Sequence, residues 1–466
     1  GLDELIDRAQ LEQLSSDLYM LQHSGRFGLV VSSKFPWDQM SQIDIFYQWS
    51  NVWGQFQPCF IQNLSEGQIQ AALPKSMEDD RLSQLNTPFL LALHLQAASL
   101  PDDPWTQKLI ERWAAKGLFQ NAAPTEELIF YRSLIVQIIR WYEASQGQKI
   151  CWEMDAFFLF HTIPAIACQM CRSEGNDPDF DPVSAIKVDR GFLARIVDDT
   201  WHTVRSWLHC FPGYSASGLR YEKLLQGIDF DKFCSGAVTS LFHGEWNGRD
   251  QLTDPQFTNH SLRDNLALLH LANIFLLAQA GALGEDPQVI EAYGYTVELF
   301  PAKQLQKAAA YYELITKKSM SSILRLGPDE AVQSPVSRFL AGHIGATMCE
   351  HIPEFRQDHK ISSAPWYQYM FSAFQQLEDS GNSEVRRLVE QRFGLAYIYG
   401  QTICARNYRS QGQYDQANLC AEHIITFQNG HPNLINSDGY HVKALVLFEQ
   451  IQRLLNGKSC GELQTI

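Results

Sequence analysis

The sequence predicts an all-α protein, built either as a large multi-helix bundle or as an irregular α-solenoid-like array of antiparallel helices. Two observations support this prediction. Apolar residues recur at steps of three and four through most of the chain, which is the period of an α-helix. β-Branched residues that alternate with polar ones are scarce, and residues 29–33 are the main exception.

The first clear helix is predicted between residues 103 and 117. Asp103 suits the N-cap, Pro104 suits the first helical position, and Gly117 suits the residue that ends the helix. The next helix begins after Thr125 with an acidic first turn and continues to about residue 145. Its apolar stripe is predicted to face a core and contains Leu128, Tyr131, Ile135, Ile138 and Tyr142.

Further helices are predicted along the rest of the chain. Their ranges are 41–54, 86–99, 151–172, 188–210, 261–280, 303–324, 335–350, 365–378, 383–409, 414–428 and 438–455. Polar, turn-rich stretches predict long surface loops or seams, and these are residues 174–182, 243–255 and 351–365. Since 466 residues exceed a typical domain, we expect an N-terminal helical region, 1–180, and a C-terminal one, 181–466, that ends in helical hairpins.

One uncharged run is about as long as a membrane span. This run, NLALLHLANIFLLAQAGALG, lies between Asp264 and Glu285. Two glycines close it, and polar residues interrupt it at Asn265, His270, Asn273 and Gln279. Such interruptions are typical of a helix buried on all sides of a large soluble bundle, so we predict a buried helix and no contact with a membrane.

Residues 394–429 are typical of a tetratricopeptide-like helical hairpin. Gly412 has the position of the turn, and Tyr414 and Ala417 have positions where such a hairpin carries aromatic and small residues. A solenoid needs about three stacked units to bury its faces, and no second copy is convincing. We therefore favour an ordinary antiparallel helix pair and keep the solenoid as the alternative.

Charge and cysteine content limit the partners and the compartment. The chain has 37 basic and 52 acidic side chains, a formal net charge of −15, so we expect its surface to repel nucleic acid. Its ten cysteines are mostly far apart and no secretory leader is visible, which predicts reduced thiols in the nucleus or the cytoplasm. Because the chain starts with Gly1 rather than Met, we expect that further residues precede it.

No metal site, cofactor or catalytic residue is predicted. Cys168 and Cys171 have the spacing of half a zinc site, but no second pair of ligands follows at the required separation. We interpret them as two core thiols about one helical turn apart. Phosphate-binding loops, dinucleotide-binding glycine patterns and the common hydrolase motifs are all absent from the sequence.

Two groups of aspartates also fall short of a cation site. Asp198 and Asp199 resemble the magnesium-binding pair of terpene synthases, but the further acidic residue expected three or four positions later is missing. The residues Asp177, Asp179 and Asp181 alternate in a loop without the central Gly and terminal Glu of a calcium loop. We interpret the second group as a polar turn.

One helix carries a candidate anion-binding face. His202, Arg205 and His209 follow one another at steps of three and four, which aligns two imidazoles and a guanidinium on one side of a helix. This face is the predicted ligand- or anion-binding site of the chain. The simpler interpretation is a solvated helix surface, which commonly carries such groups.

Apolar segments in the first half of the chain follow a recognisable order. Residues 43–49 form an aromatic helix pattern, and residues 56–60 form a Pro-containing turn that ends in Phe. Residues 87–98 begin with Thr-Pro and end in paired alanines, and residues 134–147 carry a Val-Gln pair, an aromatic pair and a terminal Gly. In this order the segments resemble the regulatory domain, or middle homology region, of fungal zinc-cluster transcription factors, and residues 152–171 would be the next helix.

The resemblance implies a non-catalytic, effector-sensing regulatory domain that acts in transcription. Its partners would be a coactivator, a second copy of the chain, or a small apolar effector. The zinc cluster of that family would lie upstream of Gly1, because the chain contains no six-cysteine cluster. The family's helix with a charged start and a Trp has a loose counterpart at residues 195–207, where the usual arginine cluster is missing.

Two other functions remain open from the sequence. A tetratricopeptide-like scaffold for protein interactions would be favoured if residues 394–429 were one of several stacked hairpins. An all-helical enzyme of small-molecule metabolism would be favoured by a deep pocket lined by Asp198, Asp199, His202 and His209.

Overall fold

A computed structural model describes about half of the chain. The described residues are 64–73, 85, 87–98, 125–144, 156–174, 188–204, 242–246, 251–257, 260–283, 302–379, 383–430 and 438–457. All of them except Leu64 belong to one compact unit, Ser65–Ile466. The predicted features at 29–33, 41–54, 103–117 and 177–181 lie outside the described residues.

The prediction of an all-α fold is confirmed. The described residues form fourteen α-helices, one π-helical turn and three short strands. The helices are α1 (Glu66–Ala72), α2 (Pro88–Ala98), α3 (Glu126–Ala144), α4 (Ile163–Glu174), α5 (Arg190–Val204), α6 (His260–Gln279), α7 (Ala302–Thr316), α8 (Met320–Leu326), α9 (Pro335–His351), α10 (Pro353–Gln357), α11 (Ala364–Asp379), α12 (Ser383–Ser410), α13 (Tyr414–Gly430) and α14 (Asp438–Gly457).

Helix α3 begins where the sequence predicts. The Thr125 hydroxyl accepts a hydrogen bond of 3.2 Å from the main-chain N–H of Leu128, as expected of an N-cap residue. The stripe from Leu128 to Ile138 is buried, and Phe130 and Val136 outside the stripe are buried as well. The wider burial follows from packing, because α3 contacts both α2 and α7.

One predicted helix divides into two. The pattern predicts a helix at 303–324, but α7 ends at Thr316 and α8 begins at Met320. Lys317 adopts a left-handed φ of 59° and so ends α7 in the conformation that Gly usually provides. The Glu313 carboxylate then accepts a hydrogen bond of 2.7 Å from the N–H of Met320, which satisfies a donor in the first turn of α8.

Helix α6 lies at the centre of the core. It is buried at every position from Asn265 to Phe275 and contacts α4, α7 and α9. The Phe275 ring lies 5.9 Å, centroid to centroid, from Trp366 of α11, whose side chain is fully buried. The predicted helix with apolar residues on all sides is therefore confirmed as a core helix. Among the described helices, none is long and apolar enough to cross a membrane.

A π-helical turn at Phe158–Thr162 precedes α4. Within this turn the main-chain N–H of Ile163 donates to the carbonyl of Phe158, five residues earlier. Pro164 follows and has no N–H, so the carbonyl of Phe160 lacks its ordinary helical donor. Pro164 thus contributes a local reason for the irregular hydrogen bonding at this turn.

Helices α9 and α11 approach each other closely through glycines. A Cβ at Gly342 would lie 2.7 Å from the main-chain nitrogen of Met370 and 2.7 Å from the carbonyl oxygen of Trp366. A Cβ at Gly345 would overlap the Trp366 ring. The two glycines therefore let the large indole lie directly against the α9 backbone.

The last three described helices form consecutive antiparallel pairs. Gly412, with a φ of 76°, ends α12, and the N–H of Gln413 donates to the carbonyl of Tyr408 at 2.9 Å. The α12–α13 pair agrees with the predicted hairpin at 394–429. Helix α14 then packs against both α12 and α13.

The predicted surface loop or seam at 243–255 is wrong over its described residues. Strands β1 (Val188–Asp189), β2 (Phe242–Trp246) and β3 (Gln251–Phe257) form an antiparallel sheet in the order β1-β3-β2. Phe242 is paired with Phe257 and Trp246 with Leu252, with an irregularity between His243 and Glu245. The described residues 243–246 and 251–255 thus pair as strands, which their polar composition does not predict. The predicted loop at 351–365 contains the short helix α10.

The predicted division at residue 180 stays a prediction. Within the described residues, one hydrophobic core contains side chains from both sides of this position. Tyr131 and Ile166 belong to it from the N-terminal side, and Leu269, Trp366 and Val446 belong to it from the C-terminal side.

Candidate functional site

Of the three residues in the predicted anion-binding face, the structure describes one, His202. His202 is exposed near the end of α5, and its Nε2 lies 3.2 Å from a carboxylate oxygen of Asp198, one turn earlier. Arg205 and His209 lie outside the described residues. The alignment of His202, Arg205 and His209 therefore stays a prediction.

The cysteine pair lies on α4. Cys168 is buried and Cys171 is half-buried, and the Cys171 thiol lies 3.9 Å from a carboxylate oxygen of Asp264. This agrees with the interpretation of two thiols one helical turn apart on a core helix. Over the described part of the chain, no group of three or more His, Cys, Asp and Glu residues is arranged to hold a metal ion.

A polar network joins α3, α6 and α7, and sequence reasoning did not find it. The Glu126 carboxylate lies 2.8 Å from the Lys307 ammonium and accepts a hydrogen bond of 3.0 Å from the Asn265 amide. The Tyr311 hydroxyl donates to the oxygen of that amide at 2.7 Å. Burial raises the pKa of Glu126, but the hydrogen bonds from Lys307 and Asn265 outweigh burial and hold the pKa below its ordinary value. We interpret this network as a clamp between three helices.

Several titratable side chains are buried in the core. Burial lowers the pKa of His161 to about 3, with a smaller contribution from His270, and lowers the pKa of His270 itself to about 4. Burial likewise lowers the pKa of His343 to about 4 and of Arg132 to about 10. The three imidazoles are therefore neutral at neutral pH and act as uncharged polar groups.

The feature best suited to binding is an apolar stripe on the outer surface of α14. We define the α14 stripe as Tyr440, Ala444, Leu447, Phe448 and Ile451. The four large side chains are 62%, 46%, 56% and 54% exposed in chain order, and Ala444 is exposed as well. A contiguous exposed apolar patch of this kind is typical of an interaction site.

The opposite face of α14 holds the helix in place. Val442 and Val446 are buried against the preceding helices, and a Cβ at Gly439 would lie 2.8 Å from a side-chain carbon of Ile425 on α13. Helix α14 is therefore apolar on two faces, although it needs only one to pack on α12 and α13.

Two charged side chains of α14 pair with neighbouring helices. Lys443 forms an ion pair with Glu422 of α13. The Glu449 carboxylate lies 3.1 Å from the guanidinium of Arg409 on α12. These pairs leave the α14 stripe itself without charge.

Comparison of the chain with known proteins found no relative. No family model, no curated protein and no solved structure matches the chain.

Proposed function

We propose that the chain is a non-catalytic regulatory domain that acts in transcription by binding a protein partner through the α14 stripe. The observation that carries the proposal is the exposure of four large apolar side chains on one face of a helix that is already anchored by its other face. An amphipathic partner helix is the natural ligand of such a face, since helices recognise one another through apolar residues at steps of three and four.

The link to transcription rests on the resemblance to fungal zinc-cluster regulatory domains. The segment that begins with Thr-Pro is helix α2, and the Thr87 hydroxyl accepts a hydrogen bond of 3.2 Å from the N–H of Leu90. The segment with the Val-Gln pair is the second half of α3. Helical structure in both segments supports the proposal. In this role the domain acts in the nucleus, and the coactivator and the small apolar effector stay predictions.

A reporter assay tests the proposal. The full chain is fused to an unrelated DNA-binding domain, and transcription from a promoter with its binding site is measured. The tested variant is Leu447→Glu with Phe448→Glu, which places charge in the α14 stripe. The matched control is Leu326→Glu, because Leu326 is 83% exposed at the end of α8 and lies outside the α14 stripe.

We expect the fused chain and the Leu326→Glu control to change reporter output several-fold, and the double variant to lose that effect. Equal amounts of folded protein, checked by immunoblot and by circular dichroism, are required for each comparison. A well-expressed fusion that leaves the reporter unchanged would overturn the proposal.

A helical scaffold is the second candidate function, favoured by the consecutive antiparallel pairs α12–α13 and α13–α14. Such an array presents a broad surface for a protein partner, and this function requires no role in transcription. The same assay separates the two candidates. A partner protein that binds the purified wild-type chain and not the double variant, together with an unchanged reporter, would favour the scaffold.

A further inference from the structure

We infer that the partner of the α14 stripe is the α14 stripe of a second copy of the chain, in an antiparallel pair with two-fold symmetry. This inference rests on the proposed function, because it names the occupant of the same surface. It makes the domain a dimer held together by its C-terminal helix.

The positions of the apolar residues are symmetric about the point between Leu447 and Phe448. In an antiparallel pair centred on that point, Ala444 of one copy lies opposite Ile451 of the other. Leu447 of one copy likewise lies opposite Phe448 of the other. The described apolar positions around the axis therefore meet apolar positions, as a self-complementary two-fold interface requires.

The spacing also suits helix pairing. Tyr440, Ala444, Leu447 and Ile451 follow one another at steps of four, three and four, so they share one face of the helix. The small Ala444 facing the larger Ile451 lets the two helices approach without a gap or a clash.

Charge does not oppose this pairing, although each copy has a formal net charge of −15. In the antiparallel arrangement Lys443 lies at the level of Gln452, and Glu449 lies at the level of Val446. No like charges therefore meet across the two-fold axis along these positions. Lys443 and Glu449 already have partners within their own copy, so these two charges stay matched when the helices pair.

The size of the surface fits a dimer rather than an obligate assembly. A buried aromatic side chain covers about 150–250 Å², so four large side chains that are each about half exposed can bury roughly 400–500 Å² per copy. Leu419 of α13 is 49% exposed and lies one turn before Glu422, the partner of Lys443, so it extends the surface. The total of about 1,000 Å² is close to the lower limit of specific interfaces and predicts a dimer that dissociates on dilution.

Sedimentation velocity of the full chain tests the inference. Over about a hundredfold range of concentration, the wild type is expected to shift from monomer toward dimer. Leu447→Glu should stay monomeric over that range, and Leu326→Glu should behave as the wild type. A monomeric wild type, or a Leu447→Glu variant that still dimerises, would overturn the inference.

Thiol cross-linking tests the antiparallel orientation. Chains with Ala444→Cys are mixed with chains with Ile451→Cys and treated with a short bifunctional thiol reagent. The mixture should give a covalent dimer, whereas neither variant alone should give one. The wild type should give none either, and it serves as the control for cross-linking through the natural cysteines. Strong cross-linking of Ala444→Cys alone indicates parallel helices and would contradict the inference.

The two proposals fail in different ways. A monomeric wild type with a reporter effect that depends on the α14 stripe overturns the dimer and leaves the proposed function, with a different protein as the partner. A stripe-dependent dimer with no reporter effect overturns the proposed function and leaves the dimer.

Discussion

The side-chain amide of Asn273 donates a hydrogen bond of 2.8 Å to the main-chain carbonyl of Phe160 inside the core. Pro164 cannot supply the N–H that this carbonyl would receive in a regular helix. Asn273 of α6 therefore replaces a missing backbone donor in the π-helical turn. This hydrogen bond explains why a polar residue occupies a core position of a highly apolar helix.

This relationship predicts a large effect of Asn273→Leu. The change keeps a similar volume but removes the hydrogen bond that Asn273 donates to the buried Phe160 carbonyl, which costs about 1–3 kcal/mol. Urea unfolding followed by circular dichroism measures the loss. The control is Asn429→Leu, because Asn429 is exposed on α13, and its effect should stay within about 0.5 kcal/mol. Equal effects of the two changes would contradict this account of the turn.

The clamp around Glu126 predicts a measurable coupling energy. Glu126 and Lys307 are each 29% exposed, so water screens their interaction only in part. A double-mutant cycle of Glu126→Gln and Lys307→Met should give a coupling of about 1 kcal/mol in urea unfolding. The pair of Glu422 and Lys443 is more exposed, and the corresponding cycle should give less than about 0.5 kcal/mol. The prediction fails if the two cycles give equal coupling.

The buried histidines predict a loss of stability as the pH falls below about 6.5. Burial lowers the pKa of His343 to about 4 in the folded state, whereas the unfolded chain binds a proton near the ordinary pKa. Between these values the unfolded state holds more protons, so the free energy of unfolding rises with pH. Histidines 161 and 270 act in the same direction. This contribution is complete above pH 6.5 and lost as the pH falls toward 4.

Removing one of these groups should reduce the slope of stability against pH. Between pH 6 and 5, we expect His343→Gln to lower the slope by about 1 kcal/mol per pH unit relative to the wild type. Asn273→Leu is the control, since it destabilises the core without removing a titrating group and should shift the whole curve without changing its slope. An unchanged slope in His343→Gln would show that this histidine is not buried as a neutral group.

The helices were predictable because their signals are local. The N-cap of Thr125, the apolar stripe of α3 and the turn at Gly412 depend on residues within one or two turns, and the structure has these elements where the sequence places them. The π-helical turn was not predicted, although Pro164 is visible in the sequence. Its partner Asn273 is 113 residues from Phe160 along the chain, and only the packing of α6 brings the two together.

The α14 stripe was hidden for a related reason. The sequence predicts the helix at 438–455, and it contains two sets of apolar residues, one at Val442 and Val446 and another at Tyr440 and Leu447. Periodicity alone does not tell which set is covered, because that depends on where α12 and α13 lie. The sequence offered one signal for the stripe. Helix α14 has apolar residues on two faces, which is more apolar surface than the neighbouring helices can bury.

The close contact between α9 and α11 predicts that Gly342 tolerates no side chain. A Cβ there would lie 2.7 Å from both the Met370 nitrogen and the Trp366 carbonyl oxygen. Both are backbone atoms of a packed helix, so they cannot move aside as a flexible side chain would. Gly342→Ala must therefore push α11 away from α9 and loosen the packing of the Trp366 indole, at a cost of about 1–3 kcal/mol.

Gly67→Ala separates this clash from the general effect of adding a methyl group to a helix. Gly67 lies in α1 with no atom within 4 Å of the added carbon, and alanine favours a helix over glycine by about 0.8–1.0 kcal/mol. We expect urea unfolding to show a loss for Gly342→Ala and no loss for Gly67→Ala. Tryptophan fluorescence should change in the first variant only, because its backbone shift reaches Trp366. Equal stability of the two variants would mean that α9 and α11 lie further apart than the glycine contacts indicate.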